Sequence, residues 1–562
     1  MPYVVTQSCC ADASCVVACP VNCIHPAPGE PGFATAEMVY VDAASCVDCG
    51  ACATACPVDA VVPHTKLTPE QEPFRALAAE YYDAFPHRPR TPLAVVPAQR
   101  TLRRPRPARF AVVGAGPAGM YVADELLKQP GFSVDVLDRL PTPYGLLRAG
   151  VAPDHPHTKA AQKLFAAVER EQGFGYLLGV EVGRDVTLAE LARHYDGVVY
   201  AVGAASDRRL GIEGEDLPGS LPATELVAWY NGHPDHQDLD VDLGHERAVV
   251  IGNGNVALDV ARVLCQPPQR LEATDVSRTA YDVLSRSTLR EVVVLGRRGP
   301  AEAAFTVPEL VGLVGLAREG GIRLRLDLGG AELGDDPRSR LLAELETITS
   351  AAPDARTLTL RFLASPSRLL GDDRVAGVEV ARTRLVETDG VVRAEPTGET
   401  ETIEAGLVLR AVGYHGRPVT DLPYDEATGT VPSDRGRVRP GTYVAGWVKR
   451  GPTGFIGSNK ADAQETVARI LDDLDVDAVA PAPEPRESLR ELLDERGVRV
   501  VDRAGWRAIE AEERRRGSDA GRERTKLLDV EEMLATAAAS ASAGPAARRR
   551  GYAARRARAG SR

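Results

Sequence analysis

The sequence predicts an α+β module followed by an α/β region in which one α/β domain is inserted into another. Three observations predict it. Nine of the ten cysteines fall between Cys9 and Cys56, which gives the N-terminal end a chemistry of its own. Two strand–glycine–helix turns recur, one opening at Gly114 and one at Gly252. A chain of 562 residues also exceeds the size at which a single core keeps growing.

Composition bounds the rest. Hydrophobic residues are 44% of the chain and charged ones 26%, ordinary for a protein with buried cores. No run of about 18 apolar residues is present and no basic, apolar leader opens the chain, so neither a membrane span nor export is expected and the expected address is cytoplasmic. Net charge is −12. The first 65 residues hold Asp12, Glu30, Glu37, Asp42, Asp48 and Asp59 but no Lys or Arg, so this end should dock on basic surfaces. Seven arginines from Arg548 onward lie in an Ala, Ser and Arg tail, 535–562, that reads as disordered. No nucleic-acid partner is expected.

Within segment 1–65, Cys46, Cys49, Cys52 and Cys56-Pro57 follow the C-x2-C-x2-C-x3-C-P run that resembles bacterial-type ferredoxins. Zinc sites separate two C-x2-C pairs by a longer span, and a reducing compartment disfavours disulfides, so an iron–sulfur site is the better reading. Counting back from Cys19-Pro20 by the same rule reaches Cys15, Asp12 and Cys9; the middle thiolate is a carboxylate. This half resembles ferredoxins whose middle cysteine is aspartate. That resemblance implies a [3Fe-4S] cluster, or a [4Fe-4S] cluster with Asp12 on its exchangeable iron. The crossed pattern gives Cys9, Cys15 and Cys56 to this cluster and Cys46, Cys49, Cys52 and Cys19 to a [4Fe-4S] partner. Asp12 as a solvated loop carboxylate is the competing reading. Cys10 and Cys23 are expected to be non-ligands. Tyr3 to Thr6 and Met38 to Val41 read as short strands of a module built from two repeated halves.

Segment 66–107 reads as a helix, Phe74 to Phe85, and a Pro/Arg-rich connector. Arg103, Arg104 and Arg106 in it either hold the acidic module near the rest of the chain or serve solubility.

In segment 108–206, a strand from Arg109 to Val113 leads into Gly114-Ala115-Gly116-Pro117-Ala118-Gly119 and then a helix. Glycines there permit a tight turn and let backbone approach a pyrophosphate at the helix N-terminus. Asp138 ends the next strand, where its carboxylate can accept ribose hydroxyls. In segment 207–405 the pattern repeats with Gly252-Asn253-Gly254-Asn255-Val256-Ala257, but the next strand, Val292 to Leu295, ends in Gly296-Arg297-Arg298. Two guanidiniums suit the 2′-phosphate of NADP. The first turn should hold FAD and the second NADPH.

Pro143-Tyr144-Gly145-Leu146-Leu147-Arg148, Gly150 to Pro156, and Gly446-Trp447-Val448-Lys449-Arg450-Gly451-Pro452-Thr453-Gly454 resemble the adrenodoxin reductase family of ferredoxin–NADP reductases over about Arg109 to Ile470. The resemblance implies FAD contacts at Ala115, Asp138, Leu146, Val182, Trp447 and Gly454-Phe455-Ile456. It implies NADP contacts at Asn253, Gly254, Asn255, Val256, Arg297, Arg298, Glu309 and Gly454. His155 and Glu309 are implied beside the nicotinamide, tuning hydride transfer. The acid closing the FAD strand is Asp138 where that family usually has Glu.

Hydride from NADPH carries two electrons and an iron–sulfur cluster takes one, so a flavin must stand between them. A cysteine-pair relay is closed, because the reductase part has only Cys265. The reading is a ferredoxin–NADP reductase passing electrons through fused clusters to a separate ferredoxin, a cytochrome P450 or another one-electron carrier. Two alternatives compete: an NADPH-oxidising input subunit of a larger, glutamate synthase-like complex, and an NADPH diaphorase whose iron–sulfur module docks or senses without redox work. Leu407 to Val412 before Gly413 marks the expected return to the FAD domain, 406–473, followed by a helical extension, 474–534.

Overall fold

The computed structural model describes residues 2–86, 99–348, 352–388 and 390–542. Its N-terminal module repeats one plan twice. Helices Ser14–Ala18 and Ala51–Ala55 each follow a cysteine loop, and strands Tyr3–Val5 and Val61–Pro63 pair antiparallel, as do Ile24–His25 and Tyr40–Val41. Matching left-handed residues fall at Ala11 and Asp48, at Ala13 and Gly50, and at Asn22 and Asp59. The two halves therefore share backbone geometry where they differ in residue type.

Helix Pro73–Ala84 folds back onto this module rather than leaving it. Phe74 is buried, Tyr81 stacks on Tyr40 at 4.5 Å, and the Tyr82 hydroxyl donates to the carbonyl of Tyr40 at 2.8 Å. Three of the connector's arginines, Arg100, Arg103 and Arg106, meet the reductase instead. Arg100 pairs with Asp472 and Asp475, the Arg103 amide donates to Asp475 at 2.9 Å, and Arg106 lies 3.8 Å from Asp477. They fasten the connector to the acidic end of the helix Ser458–Asp475 and to Asp477; residues 87–98 of the connector lie outside the described residues.

Two six-stranded sheets form the reductase. The first runs in the order Arg437–Arg439, Thr442–Val444, Gly197–Tyr200, Ala108–Val113, Phe132–Asp138, Phe174–Leu178, parallel except at its first edge. The second is parallel throughout, in the order Ser220–Pro222, Leu407–Arg410, Arg247–Ile251, Glu291–Leu295, Thr357–Arg361, Arg323–Asp327. Central strands are apolar on both faces because both are covered: by helices in the first sheet, and in the second by helices on one face and the antiparallel sheet of Ala364–Leu370, Gly377–Thr388 and Val391–Glu404 on the other. Strand Leu407–Arg410 corrects the domain boundary expected at 405/406. It lies in the second sheet beside Arg247–Ile251, and the chain returns only after Gly413, where Tyr414–His415 pairs with Ser206–Asp207. A buried apolar strand before a glycine looks the same in either sheet; pairing alone assigns it.

The C-terminal extension packs against both domains. Val501 bridges to Leu178, Trp506 is fully buried edge-on to Tyr144 at 5.8 Å, and Glu513 receives Arg148 and Arg524 in the interior. Helix Val530–Ser542 carries order past Ala535, where the sequence reading begins a disordered tail. Alanine at 535 and 537 to 539 favours helix once Met533 and Ala537 have a core to enter. The arginines from Arg548 lie outside the described residues.

Candidate active site

Both glycine turns form as read. At the first, Gly114 has φ +108° and a Cβ there would meet the Ala201 carbonyl oxygen at 2.5 Å; a Cβ at Gly119 would meet the Gly114 oxygen at 1.9 Å. Gly116 differs: a Cβ would meet nothing within 4 Å. Two glycines thus permit protein packing, and the third borders space that a ligand's phosphates can enter at the N-terminus of helix Pro117–Leu127. Asp138 accepts the Ala115 amide at 2.9 Å and the Leu140 amide at 3.0 Å; burial raises its pKa against these bonds. Leu146, which opens helix Leu146–Ala149, and Val202 are each 40% exposed, apolar surface suited to a flavin ring. Val182 is half-buried beside its bridge partner Val186.

The far wall is the segment expected at 447 and 454–456. Trp447 donates its indole N–H to the Thr453 carbonyl at 3.1 Å and leans on Tyr414 at 5.0 Å. Ser458 Oγ donates to Phe455 O at 2.7 Å, and Asn459 Nδ2 to Phe455 O at 3.2 Å and Ile456 O at 3.0 Å. These bonds fix Gly454-Phe455-Ile456 at the head of helix Ser458–Asp475.

At the second turn, a Cβ on Gly252 would meet the Ala411 oxygen at 2.3 Å, while Gly254 has nothing nearer than 4.0 Å. Gly296 leaves room for the Asn253 amide, whose nitrogen a Cβ would meet at 2.5 Å. Asn255 Oδ1 accepts the Thr306 amide at 2.8 Å, tying this turn to helix Val307–Arg318, which carries Glu309. Val256 follows, half-buried. Arg297 is exposed and Arg298 half-buried, and neither has an ion-pair partner among the described residues. This arrangement fits a nucleotide phosphate.

His155 and Glu309, distant in sequence, stand 3.9 Å apart. Arg262 links them. Its guanidinium donates to Asp154 at 2.8 and 3.1 Å, to Asp259 at 2.7 Å, to Glu309 at 3.3 Å and to His155 Nε2 at 2.5 Å. Burial raises Glu309; at Asp154 burial works the same way, but the Arg262 charge outweighs it and holds the carboxyl below the usual range. Sequence reading named His155 and Glu309 but not Arg262, Asp259 or Gln266, which also donates to Asp154 at 2.8 Å. The available signal was a polar stripe, Asp259, Arg262 and Gln266 at helical spacing on an otherwise buried helix.

In the N-terminal module, Cys19, Cys46, Cys49 and Cys52 line one cavity, so the crossed set assembles, and Cys23 lines it too. Cys9 and Cys15 lie close enough to Cys56 and Asp12 that the charges of those two groups help raise both thiols. Burial pushes Cys9 and Cys52 up to about 11 and raises Cys15. Sites that oppose uncompensated thiolates fit a cationic iron core. Asp12 is buried, with its carboxylate taking the Ser14 hydroxyl and, at 3.3 Å, the Ser14 amide. Cys265 is buried, and burial pushes its thiol up to about 12.

The module abuts the segment that follows Ile456. The Gly457 amide donates to the Cys10 carbonyl at 2.9 Å, and a Cβ on Gly457 would meet Asp12 N at 2.3 Å. Glu37 accepts the Val307 amide at 2.9 Å and lies 3.8 Å from Arg338; Asp59 lies 3.7 Å from Lys163. Acidic residues of the module do meet basic ones within the chain.

These features define an oxidoreductase with two dinucleotide sites and an iron–sulfur module at its N-terminus. The family described as pyridine nucleotide-disulphide oxidoreductase matches residues 108–288, and the 4Fe-4S binding domain matches residues 39–62. A Mycobacterium leprae protein named a probable ferredoxin/ferredoxin–NADP reductase is 49% identical over 557 residues, covering 96% of this chain and 98% of that one. Human mitochondrial NADPH:adrenodoxin oxidoreductase is 42% identical over 447 residues, covering 76% of this chain and 91% of its own. The atomic-resolution structure of FprA, a Mycobacterium tuberculosis oxidoreductase, superposes with a TM-score of 0.73 at 41% identity, covering 77% of this chain and 100% of that one. The chain belongs to the ferredoxin/ferredoxin–NADP reductase family. Among the described residues no helix is long and apolar enough to cross a membrane.

Proposed function

We propose that the chain is a ferredoxin–NADP reductase that oxidises NADPH and delivers electrons, through FAD and two built-in iron–sulfur clusters, to separate one-electron carrier proteins. The seam between Cys10 and Gly457 carries this reading: a cysteine loop rests directly on the segment that walls the flavin site. When bound, FAD takes the two electrons of NADPH together and releases them singly, which no side chain here can do.

The chain's own residues bind and orient. Gly114, Ala115, Gly116 and Gly119 shape the FAD phosphate turn, Asp138 meets the ribose, and Leu146, Val182, Trp447 and Gly454 to Ile456 border the flavin. Gly252 to Val256 shape the NADP turn, and Arg297 and Arg298 select the 2′-phosphate by charge-assisted hydrogen bonds. Glu309 and His155 flank the nicotinamide, with Arg262 as the positioning residue for both. Cys19, Cys46, Cys49 and Cys52 hold a [4Fe-4S] cluster. Cys9, Cys15 and Cys56 hold a three-iron cluster, a choice supported by the Asp12 carboxylate already being engaged by Ser14.

Anaerobic stopped-flow mixing with NADPH, followed by flavin absorbance and freeze-quenched electron paramagnetic resonance, tests the reading. Flavin bleaching followed by cluster signals within turnover time is expected. Clusters unchanged while flavin cycles would overturn it in favour of a docking or sensing module. Gly457→Ala, which forces a methyl into the Ala11–Asp12 backbone, should slow the cluster phase relative to the flavin phase.

A further inference from the structure

Irregular segments run over a protein's surface, because buried backbone needs partners for its polar groups. The stretch between helices Arg503–Asp519 and Val530–Ser542 does the opposite. It has no helix or strand from Arg524 to Asp529, yet Arg522, Arg524, Lys526 and Leu527 are all buried. It threads the joint between the two nucleotide-binding domains and is clipped to each. On the side of the first domain, Glu513 takes the Arg148 guanidinium at 3.0 Å and holds the stretch through the Arg524 guanidinium at 3.2 Å and the Leu527 amide at 3.0 Å. On the second, Arg522 donates to the Val276 carbonyl at 2.6 Å and the Glu523 amide to the Ala273 carbonyl at 3.2 Å.

Lys526 joins the two sides. Its ammonium has three donors and the fold supplies three acceptors: the Arg148 carbonyl at 3.0 Å from the first domain, and the Asn231 carbonyl at 2.8 Å and Asp275 at 2.9 Å from the second. Arg148 lies in helix Leu146–Ala149, which opens with the flavin-site residue Leu146. Asp275 and the Asn231 side chain also take Lys159, at 2.5 and 2.8 Å, from the short helix that follows His155. One buried cation thus ties the flavin-site helix, the second domain and, through Asp275, the segment carrying His155.

We propose that residues 520–529 form an interdomain strap and that Lys526 is a positioning residue for hydride transfer, setting the distance and angle between nicotinamide and flavin. This rests on the function proposed above and adds what holds its geometry. Hydride transfer needs the reacting atoms near contact distance, and a misplacement of about 1 Å can cost about a hundredfold in rate. A buried ammonium with every donor used holds that tolerance, because sliding either domain would strand a charged donor or a carbonyl where water does not replace the partner.

Lys526→Met keeps the side chain's length and removes its charge. In the FAD-loaded protein, stopped-flow flavin reduction at saturating NADPH should slow by about ten- to a hundredfold. Adenosine 2′,5′-bisphosphate, the half of NADP that lacks the nicotinamide, should bind by calorimetry within about twofold of wild type. Flavin content and reduction of the flavin by dithionite should be unchanged. Arg522→Gln, which removes a single clip, should show the same split at about fivefold, and it carries the test if Lys526→Met does not retain flavin. Leu489→Ala opens a cavity in a separate apolar cluster of the first domain and should lower Tm while leaving the rate at wild type. Wild-type rates in the strap variants, an equal slowing in Leu489→Ala, or bisphosphate binding lost in step with the rate would each overturn the strap. Wild-type flavin that NADPH never reduces would instead overturn the function proposed above.

Discussion

The two nucleotide turns use one backbone plan and differ at two positions that decide what each can hold. The first closes with Gly119 and is followed by a strand ending in Asp138; the second closes with Ala257 and is followed by Arg297 and Arg298. At Gly119 a methyl would sit 1.9 Å from the Gly114 oxygen, whereas Ala257 fits, fully buried, in the equivalent place. The first turn is therefore the tighter, with its carboxylate oriented by the Ala115 and Leu140 amides. The second turn is looser and leaves its two guanidiniums without ion-pair partners among the described residues. The two turns share their glycines and differ in the packing and charge around them.

Breaking the tighter turn should have the largest effect. Gly119→Ala should yield protein without flavin, read from the visible spectrum after purification, because the overlap involves backbone that cannot turn aside. If this variant keeps full flavin, the difference between the turns is not packing. Next comes the join between the domains that carry them. Asp275 sits between Lys159 at 2.5 Å and Lys526 at 2.9 Å, all buried. Asp275→Asn leaves two buried ammoniums without their carboxylate and should cost about 3–5 kcal/mol in denaturant unfolding. Burial opposes ionisation of Asp275, but the Lys159 charge outweighs it and holds the pKa below the usual carboxylate range. Its contribution is thus present above the unfolded value of about 4 and lost as pH falls through the folded value. Acid unfolding of the variant should therefore be less steep below about pH 4 than that of wild type.

A smaller loss tests selection by the second turn. Arg297→Ala with Arg298→Ala should raise KM for NADPH by roughly 10- to 100-fold, the scale of one or two charge-assisted hydrogen bonds, and leave KM for NADH within about twofold. Equal losses for both nucleotides would assign the pair to folding. The smallest effect is expected at Ala257→Gly, about 0.5–1 kcal/mol from helix propensity, with flavin content untouched. A loss of NADPH binding there would show that the methyl touches the nucleotide.

Chemistry carried by short spacing was legible in the chain alone. Cys46, Cys49 and Cys52, both glycine turns, and the Asp138 and Arg297-Arg298 strand ends lie within a few residues of the motifs that announce them. Their geometry is set by local backbone, so residue order suffices. Arg262 was not legible. It gains its role only when the second domain folds against Asp154 and His155 of the first, more than a hundred residues earlier. The same holds for strand Leu407–Arg410, whose sheet is decided by pairing with Arg247–Ile251, and for Cys10, whose carbonyl finds Gly457 across nearly the whole chain. Residue order by itself determined which cofactors the chain can hold, because phosphate turns and cysteine loops are local hydrogen-bonding and ligand patterns. Tertiary structure alone decided that the first cysteine loop meets Gly457 at the head of helix Ser458–Asp475, because that contact joins segments far apart in the chain.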